Sequence, residues 1–560
     1  MRPTVDRSRS WLLSALGASC MASAQAQPPA PTTPPAESPP DAQISTPSFA
    51  EPAPLPSDSL AVLGAIRVSE IRVEGCTVFT AQELASFTAP YTHRTVTIED
   101  LNELRHTITQ AYVERGYVTS GVVLPDQRVA DGTVVLQAVE GTLADIEIQG
   151  NRRLRNRAIT RRVERHVGAP VDIADLQVSL RSLQQDPLVE RVNAQLLPGS
   201  SLGESYLRLA IAEQPAFEFA VTAANDRSPS VGEDRGTVGL TYRGLVGNGD
   251  ALTGQFGLTR GVQDSAIAYQ VPLGPRDTRL DVLFSDQEAD IVEEPFNAIN
   301  ITSRLKTSSV TATHPFVDEP DHSFRGILGF EYKRSESTLL GMPFSFSPGD
   351  VNGKAKGSAV SIGAEWTHRR DVQAWAARGV LQVGVDALDA TVSATGPDTE
   401  FVTFLGQAQY AHGLQWRNSR FLVRGVVQLA HEPLLAMYKM PVGGRYSVRG
   451  YRENQFVRDN GVTASVEYQF PLIVDETGRP RDALKLAAFT DYGVSWDEDS
   501  LLATSHKARI ASAGLGLLWD PTPGFHMDVY WGAAFDEQQN ATETLQDRGF
   551  NYRLSFRRLF

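Results

Sequence analysis

Two short motifs carry the polar residues with the clearest chemical potential in this sequence. Arg449 lies in the Gly-rich segment Gly443–Tyr451, and Asp491 lies in the run Phe489–Gly493. A guanidinium group and a carboxylate can form a charge-assisted, bidentate pair that holds two segments in one orientation. The alternative is an arginine on an exposed loop and an aspartate that lines a wet pore, with no contact between them.

The residues around these two charges favour a close approach. Gly450 allows a tight turn, because glycine adopts backbone conformations that other residues avoid, and Tyr451 is able to pack against a wall. In a strand, Asp491 shares a face with Phe489 and lies opposite Tyr492, since successive side chains alternate. The carboxylate therefore points away from the apolar face, which is the direction of the lumen if the strand belongs to a barrel.

Other apparent chemical motifs are incomplete. The segment Gly349–Lys354 has the wrong glycine spacing for a phosphate loop, and Ala355 replaces the Ser or Thr that would meet magnesium. The pair His431–Glu432 lacks the second histidine of a zinc helix, and Pro433 would break that helix. We therefore predict no enzymatic activity, no catalytic residue, no metal site and no cofactor.

The charge balance and the N-terminus indicate export rather than nucleic-acid binding. The 560 residues contain 66 acidic and 52 basic side chains, a net charge of -14, which disfavours a phosphate-tracking surface. Arg2, Arg7 and Arg9 precede the apolar run Trp11–Ala18, a pattern typical of a signal peptide, which we assign to residues 1–26.

The segment that follows, residues 27–65, is crowded with Pro, Ala, Ser and Thr and is interpreted as a linker. No later stretch reaches the ~18 uninterrupted apolar residues of a transmembrane helix. An exported protein that stays in a membrane would then have to be a β-barrel. The alternative is a soluble periplasmic or secreted protein.

Residues 66–141 and 142–214 repeat one plan. The run Ile71–Gly75 recurs as Ile146–Gly150, a spacing closer to a small domain than to a solenoid repeat. After this first strand, the pattern of each copy predicts two helices and then two strands, which gives the order β-α-α-β-β. The second helix of the first copy has a capping box at Thr97, and strands are predicted at 117–124 and 132–139. The apolar residues on one face of this helix are Leu101, Leu104, Ile108, Ala111 and Tyr112.

Strand periodicity dominates from residue 215 to residue 560. Apolar and polar residues alternate, with aromatic residues at the ends of the apolar faces, as lipid outside and water inside require. The clearest apolar faces are Val462, Ala464, Val466, Tyr468 and Phe470, then Ala511, Ala513, Leu515, Leu517 and Trp519, and finally Phe550, Tyr552, Leu554 and Phe556. At ~10 residues per tilted strand plus turns, this length fits about 16 strands.

These motifs together resemble the POTRA-plus-barrel superfamily of outer-membrane insertases and translocators. Its loop motif matches Val448, Arg449, Gly450 and Tyr451, and its inner-wall signature matches Phe489, Asp491 and Gly493. The first module also contains Gly116–Ser120, Leu124–Gln127 and Val139–Gly141, which resemble the first POTRA domain of two-partner secretion transporters of the hemolysin-activator or filamentous-hemagglutinin transporter type.

The resemblance implies a mostly β protein, a transmembrane barrel of about 16 strands preceded by two POTRA domains. It implies an outer-membrane location in a Gram-negative bacterium, with the POTRA domains in the periplasm and contacts to outer-membrane lipid. The POTRA domains would bind an unfolded exoprotein that carries an N-terminal secretion domain, and the barrel would secrete this exoprotein. The motif loop would lie in the lumen, and Phe560 would be a signal to the barrel-assembly machinery during biogenesis.

Two other functions stay open beside this one. A barrel-assembly insertase of the same superfamily typically carries more POTRA copies than the two seen here. A passive porin or ligand-gated channel has no obvious use for two periplasmic modules.

Some two-partner transporters place a plug helix before the first POTRA domain. Here only Ser57–Ala65 is free of proline in the linker, and proline disfavours a helix. We therefore expect either no plug helix or a short one.

Overall fold

The computed structural model describes part of the chain, in ranges with short gaps. These are residues 44–45, 65–127, 129, 131–184, 186–274, 276, 278–319, 321–347, 349–393, 396–474, 480–498, 507–536 and 543–560. The predicted signal peptide lies outside them, as does the predicted linker apart from residues 44–45 and Ala65. The question of a plug helix therefore also falls outside the described residues. No described helix has the length and apolar character needed to cross a membrane.

Internal contacts divide the chain into two units, Pro40–Gln214 and Pro215–Phe560. The first unit contains, in chain order, β1 (Ile44–Ser45), β2 (Ile66–Val68), β3 (Glu70–Glu74), α1 (Ala81–Thr88), β4 (Arg94–Val96), α2 (Ile98–Glu114), β5 (Gly121–Val123), β6 (Thr133–Val139), β7 (Thr142–Gln149), α3 (Asn156–Glu164), α4 (Ile173–Gln184), β8 (Val189–Pro198) and β9 (Glu204–Glu213). The order β-α-α-β-β is present in the second copy as β7-α3-α4-β8-β9. The first copy has the same order, β3-α1-α2-β5-β6, with the additional three-residue strand β4 between its helices, which pairs with β2. The assignment of residues 142–214 as a second POTRA domain stays a prediction.

Local chemistry explains where the helices of this unit begin. Thr97 accepts a hydrogen bond from the backbone of Asp100, whose carboxylate binds the backbone N–H of Thr97, so the predicted capping box starts α2. Thr80 and Glu83 form a second capping box before α1. The buried face of α2 consists of Leu101, Leu104, Ile108 and Tyr112. The periodicity of the sequence therefore predicted the core face of this helix correctly.

One strand of the first module is shorter than predicted. The sequence suggested a strand over 117–124, whereas β5 begins only at Gly121. The residues between α2 and β5 form tight turns instead, since the N–H of Tyr117 binds the carbonyl of Tyr112 and the N–H of Ser120 binds the carbonyl of Tyr117. These turns leave β5 with three residues.

Among the described residues, the first unit has three sheets, with a two-stranded β2-β4 sheet first and then the strand orders β3-β6-β5 and β1-β8-β9-β7. In the last of these sheets, β8 and β9 are antiparallel over ten residues each, and β7 runs parallel to β9. The short strand β1 adds to the outer side of β8 in parallel, with Ile44 opposite Ala194. One side of β8 therefore pairs with β9, and the other side is a sheet edge along most of its length.

The second unit is a closed antiparallel barrel, with sixteen wall strands among the described residues. Its strands are β10 (Phe217–Ala224), β11 (Arg235–Arg243), β12 (Ala251–Leu258), β13 (Val262–Leu273), β14 (Thr278–Asp290), β15 (Ile301–Asp318), β16 (His322–Leu339), the two-residue β17 (Met342–Pro343), β18 (Lys354–Arg370), β19 (Gln373–Val385), β20 (Val402–Leu414), β21 (Ser419–Ala430), β22 (Met440–Val442), β23 (Phe456–Arg458), β24 (Asn460–Val474), β25 (Pro480–Trp496), β26 (Ala508–Trp519), β27 (Phe525–Ala534) and β28 (Phe550–Leu559). The wall consists of β10–β16, β18–β21 and β24–β28. The predicted fold class is confirmed.

The barrel closes between its first and last strands. Strands β10 and β28 are antiparallel, with Phe219 opposite Arg558. Beyond β28, the N–H of Phe560 donates to the carbonyl of Phe217 over 2.8 Å. The C-terminal residue therefore forms part of the seam through its main chain, while its side chain is exposed.

The two faces of the wall strands follow the predicted alternation. On β25, Lys485, Phe489 and Asp491 are buried, whereas Leu486 and Tyr492 are exposed. The polar side chains thus turn inward, and the apolar side chains form the outer, lipid-facing surface. Strands β22 and β23 do not belong to the wall but pair with each other inside the loop that joins β21 to β24.

Candidate functional site

The site forms where the β21–β24 loop lies against the inner wall. The β22–β23 hairpin brackets the segment from Gly443 to Tyr451, and its apolar residues form a buried cluster with one wall residue. The members of this cluster are Met440, Val442, Val448, Tyr451 and Ile510. Burial of these side chains removes apolar surface from water, which holds the loop against β26.

Arg449 binds Asp491 with both ends of its guanidinium fork. Its Nε lies 2.8 Å from Oδ2 of Asp491, and its Nη2 lies 2.9 Å from Oδ1. The backbone N–H of Arg449 also donates to Oδ2, over 3.0 Å. Three hydrogen bonds from one residue to one carboxylate fix both the position and the direction of the loop.

Two further acceptors complete the surroundings of this arginine. Nη1 of Arg449 donates to Glu467, and Nη2 lies 3.0 Å from Oγ of Ser465. Glu467 is also 3.5 Å from Arg424. The cluster thus combines two guanidinium groups with two carboxylates, and this charge balance permits the burial of three of these groups, while Arg424 stays partly exposed.

Aromatic rings close the site on the faces of the guanidinium group. The Cζ atom of Arg449 lies 3.6 Å from the ring centre of Phe489 and 4.7 Å from that of Tyr530. The hydroxyl of Tyr530 donates to Oε1 of Glu467 over 3.2 Å. A cation between two rings gains electrostatic attraction while water is excluded. Phe489, the aromatic residue of the inner-wall signature, therefore contacts Arg449 directly.

The two motif glycines allow the loop to approach the wall. Gly450 has a φ of +91°, and a Cβ there would lie 2.8 Å from the carbonyl oxygen of Gly532. A Cβ on Gly493 would lie 2.7 Å from side-chain atoms of both Val442 and Val448. A side chain at either position would push the loop away from the strands. Tyr451 then completes the contact, because its hydroxyl donates to the carbonyl of Ala511 over 3.0 Å.

Two other arginines attach the same loop to different parts of the barrel unit. Arg445 donates to Asp528 on β27. Arg452 donates to Asp547 over 2.7 Å and to Glu293 over 2.8 Å. Together with Arg449, these contacts hold the loop at three places.

Sequence reasoning brought together Arg449 and Asp491 but missed the other charged partners. The alternation of the strands placed Glu467, Ser465 and Asp528 on polar faces, and that is the only signal the sequence offers for them. Which polar residue meets which loop arginine depends on the register between strands and on the path of the loop. Neither is encoded in the spacing of residues within one strand.

Glu140, from the motif Val139–Gly141, joins several parts of the first module. Its carboxylate accepts hydrogen bonds from the N–H of Val78 over 3.0 Å and from the hydroxyl of Tyr112 over 3.0 Å, and also from the N–H and hydroxyl of Thr77. Burial pushes the pKa of Glu140 upward, but these hydrogen bonds outweigh it, so the pKa lies below its ordinary value. Glu140 therefore ties the end of β6 to the start of α1 and to α2.

Known proteins are similar to this chain over most of its length. The outer membrane transporter CdiB of Dickeya dadantii (strain 3937) is 24% identical over 419 residues, which cover 72% of each protein. The heme/hemopexin transporter protein HuxB of Haemophilus influenzae is 21% identical over 479 residues, covering 83% of this chain and 82% of the relative. The solved structure of CdiB from Escherichia coli matches with a TM-score of 0.65 at 19% identity, over 90% and 92% of the two chains, which is a likeness of fold.

Two families match defined parts of the sequence. Residues 66–141 match the POTRA domain of the ShlB type. Residues 203–518 match the family described as haemolysin secretion/activation protein ShlB/FhaC/HecB, and this match spans more than half of the chain. The chain therefore belongs to the haemolysin secretion/activation protein family ShlB/FhaC/HecB, that is, to the two-partner secretion transporters of the outer membrane, whose POTRA domains lie in the periplasm.

Proposed function

We propose that this protein binds an unfolded exoprotein in the periplasm through its POTRA modules and secretes it through the pore of its barrel. Membership of the two-partner secretion family supports transport of a secreted partner. The observation that carries the binding step is the strand that β1 adds to the sheet edge at β8. The proposal requires neither a cofactor nor a catalytic group.

The edge strand β8 has the properties of a receptor for an extended peptide. Ile44 and Ser45 pair in parallel with Ala194 and Gln195, so the main chain of an extended segment fits this edge. An open sheet edge offers unpaired N–H and C=O groups that bind a peptide whatever its sequence. The edge strand β5 of the first module has only three residues, against ten in β8. The longer edge is the better candidate for client binding.

The motif loop supplies the second part of the proposal. The contacts of Arg449 with Asp491 and Glu467 stabilise one position of the loop inside the barrel, and we infer that the loop shifts while the client passes. Breaking buried ion pairs is costly unless other groups replace the partners. The site is therefore a structural lock on one state of the channel, in which no bond of the client is made or broken.

Photo-crosslinking tests the binding step. A photo-reactive amino acid at Gln195, which is exposed on β8, should crosslink to a co-expressed exoprotein during secretion. The matched control is the same amino acid at Ala144, exposed on β7 at the opposite edge of the same sheet. We expect crosslinks at Gln195 and few at Ala144. Equal crosslinking at both positions, or crosslinking at Ala144 alone, would contradict the proposal.

Competition with β1 sharpens this test. The double substitution I44P/S45P removes both N–H groups of β1, so the segment can no longer pair with β8. If β1 and the client use the same edge, crosslinking at Gln195 should increase in this variant. An unchanged yield would show that the client does not compete with β1 for β8.

A further inference from the structure

A dense group of arginines lies at the start of the second module. Residues 151–166 contain seven arginines and one glutamate, in a chain whose net charge is -14. Four of these arginines are exposed and close together: Arg152, Arg153, Arg155 and Arg157, which we call the arginine turn. Among the described residues, no carboxylate forms an ion pair with any of the four guanidinium groups. Their charge is therefore available to an outside partner.

The backbone of the arginine turn is held in place by Glu213. Its carboxylate accepts the N–H groups of Arg152 over 2.9 Å, Arg153 over 3.0 Å and Leu154 over 2.9 Å. Leu154 is buried beneath the turn. Main-chain hydrogen bonds and one apolar anchor thus fix the turn and leave its arginine side chains exposed. The arrangement does not depend on the guanidinium groups themselves.

The covalent connection between this module and the barrel is short. Glu213 ends β9, and only residues 214–216 separate it from Phe217, where the first wall strand begins. Four peptide units span at most about 14 Å. The covalent chain alone therefore keeps Glu213, which holds the turn, within about 14 Å of the first residue of the barrel wall. At physiological salt, charges interact over about 8 Å.

We propose that the arginine turn binds the phosphate groups of anionic lipids in the periplasmic leaflet. Guanidinium groups suit this role because their planar fork binds phosphate oxygens in a bidentate manner and holds water more weakly than an ammonium group. An acidic peptide offers carboxylates to the same fork, but the short tether favours the lipid surface. The contact would set the orientation of the second module at the membrane, whether or not a client is bound at β8.

The test uses the full chain in lipid nanodiscs, with Cys20 and Cys76 replaced by serine. A fluorescent label is attached at T160C, one turn along α3 from Arg157. A spin label on the lipid head groups quenches the dye when the two are close. We expect stronger quenching in nanodiscs that contain phosphatidylglycerol than in phosphatidylcholine alone, and a loss of the difference at about 0.5 M salt, where screening is strong.

Variants of the arginine turn decide the outcome. The quadruple substitution R152S/R153S/R155S/R157S should remove the dependence on phosphatidylglycerol, and the four corresponding lysine substitutions should keep much of it. The control R67S/R72S removes two exposed arginines of the first module and should change nothing. The helical circular dichroism and the heat-modifiable migration of each variant verify that it is folded.

Two results would overturn the proposal. The first is equal quenching in neutral and anionic nanodiscs, or an unchanged lipid dependence in the quadruple serine variant. The second is a change in label fluorescence on addition of an acidic polyglutamate peptide in detergent, together with no response to phosphatidylglycerol. That second result would assign the arginine turn to a protein partner.

Discussion

Two bidentate ion pairs on the barrel have the same geometry and very different surroundings. Arg449 binds Asp491 under the motif loop, where their side chains are 3% and 1% exposed. Arg304 binds Asp286 between β15 and β14 with distances of 2.8 and 2.6 Å, but these side chains are 44% and 33% exposed. Asp286 lies on the outward face of β14 beyond Phe284, and the next two outward positions, Glu288 and Asp290, are also acidic and exposed, so this end of the strand extends past the lipid-facing band into water.

The difference shows that burial, rather than hydrogen-bond geometry, determines how much an ion pair contributes to stability. Water solvates and screens the exposed pair, so each partner loses little when the other is removed. The loop excludes water from the buried pair, so removal of one partner leaves a charge in a medium of low polarity. Substitutions at four positions test this contrast, from the largest expected effect to the smallest.

Replacement of Arg449 by alanine should have the largest effect. It leaves Asp491 and Glu467 buried without their main partner, and breaking a buried pair costs about 3 to 5 kcal/mol. We expect the barrel to remain inserted, with secretion of the exoprotein into the medium reduced by about tenfold or more. Heat-modifiable migration measures insertion, and immunoblotting of the medium measures secretion. R449K, which keeps the charge but loses the fork, should be intermediate. Normal export by R449A would refute the role of the loop contact.

Replacement of Glu467 by glutamine should have a smaller effect on the same cluster. The amide oxygen can still accept from Arg449, and the pair with Asp491 is retained, so the cost is about 1 to 2 kcal/mol for a weakened charged hydrogen bond. The same secretion assay should show a partial loss, less than that of R449A. A loss as complete as in R449A would mean that Asp491 alone does not hold the loop.

Glu140 in the first module is an intermediate case and makes stability depend on pH. Its pKa is lower in the folded protein than its ordinary value of 4.5, so its contribution is present above about pH 4.5 and is lost as the pH falls through the folded value. The α-helices of the described chain all lie in the first unit, so circular dichroism at 222 nm during heating follows that unit. We expect E140Q to melt earlier than the native protein at pH 7.

The pH profile provides the control for this prediction. The difference in melting temperature between E140Q and the native protein should shrink as the pH falls below 4.5, because the native carboxylate is then protonated as well. A difference that stays constant with pH would assign the effect to packing instead of charge.

Replacement of Arg304 by serine should have the smallest effect. In this variant water solvates Asp286 in place of the lost ion pair, so both secretion and heat-modifiable migration should match the native protein. D286N is the companion variant and should behave in the same way. A clear loss of secretion in R304S would show that an exposed pair can matter as much as a covered one, and the contrast with Arg449 would fail.

Much of the fold follows from patterns that act over a few residues. The capping box at Thr97, the buried face of α2 and the alternation on β25 were all predicted, because each depends only on residues that are near in sequence. The strand over 117–124 was predicted too long, since turn hydrogen bonds at Tyr117 and Ser120 compete with strand pairing. Such competition depends on contacts that local propensity does not contain.

The sequence by itself indicated that residues 215–560 form a barrel, because a period of two with aromatic residues at the ends of the apolar faces, over a length that fits about 16 strands, is typical of strands between lipid and water. It also named Arg449 and Asp491, through motif resemblance and alternation. Only the tertiary structure decided that Glu467 and Tyr530 join them and that β1 occupies part of the β8 edge. Those partners are far apart in the chain, and strand register, loop path and exclusion of water, which bring them together, exist only in the folded protein.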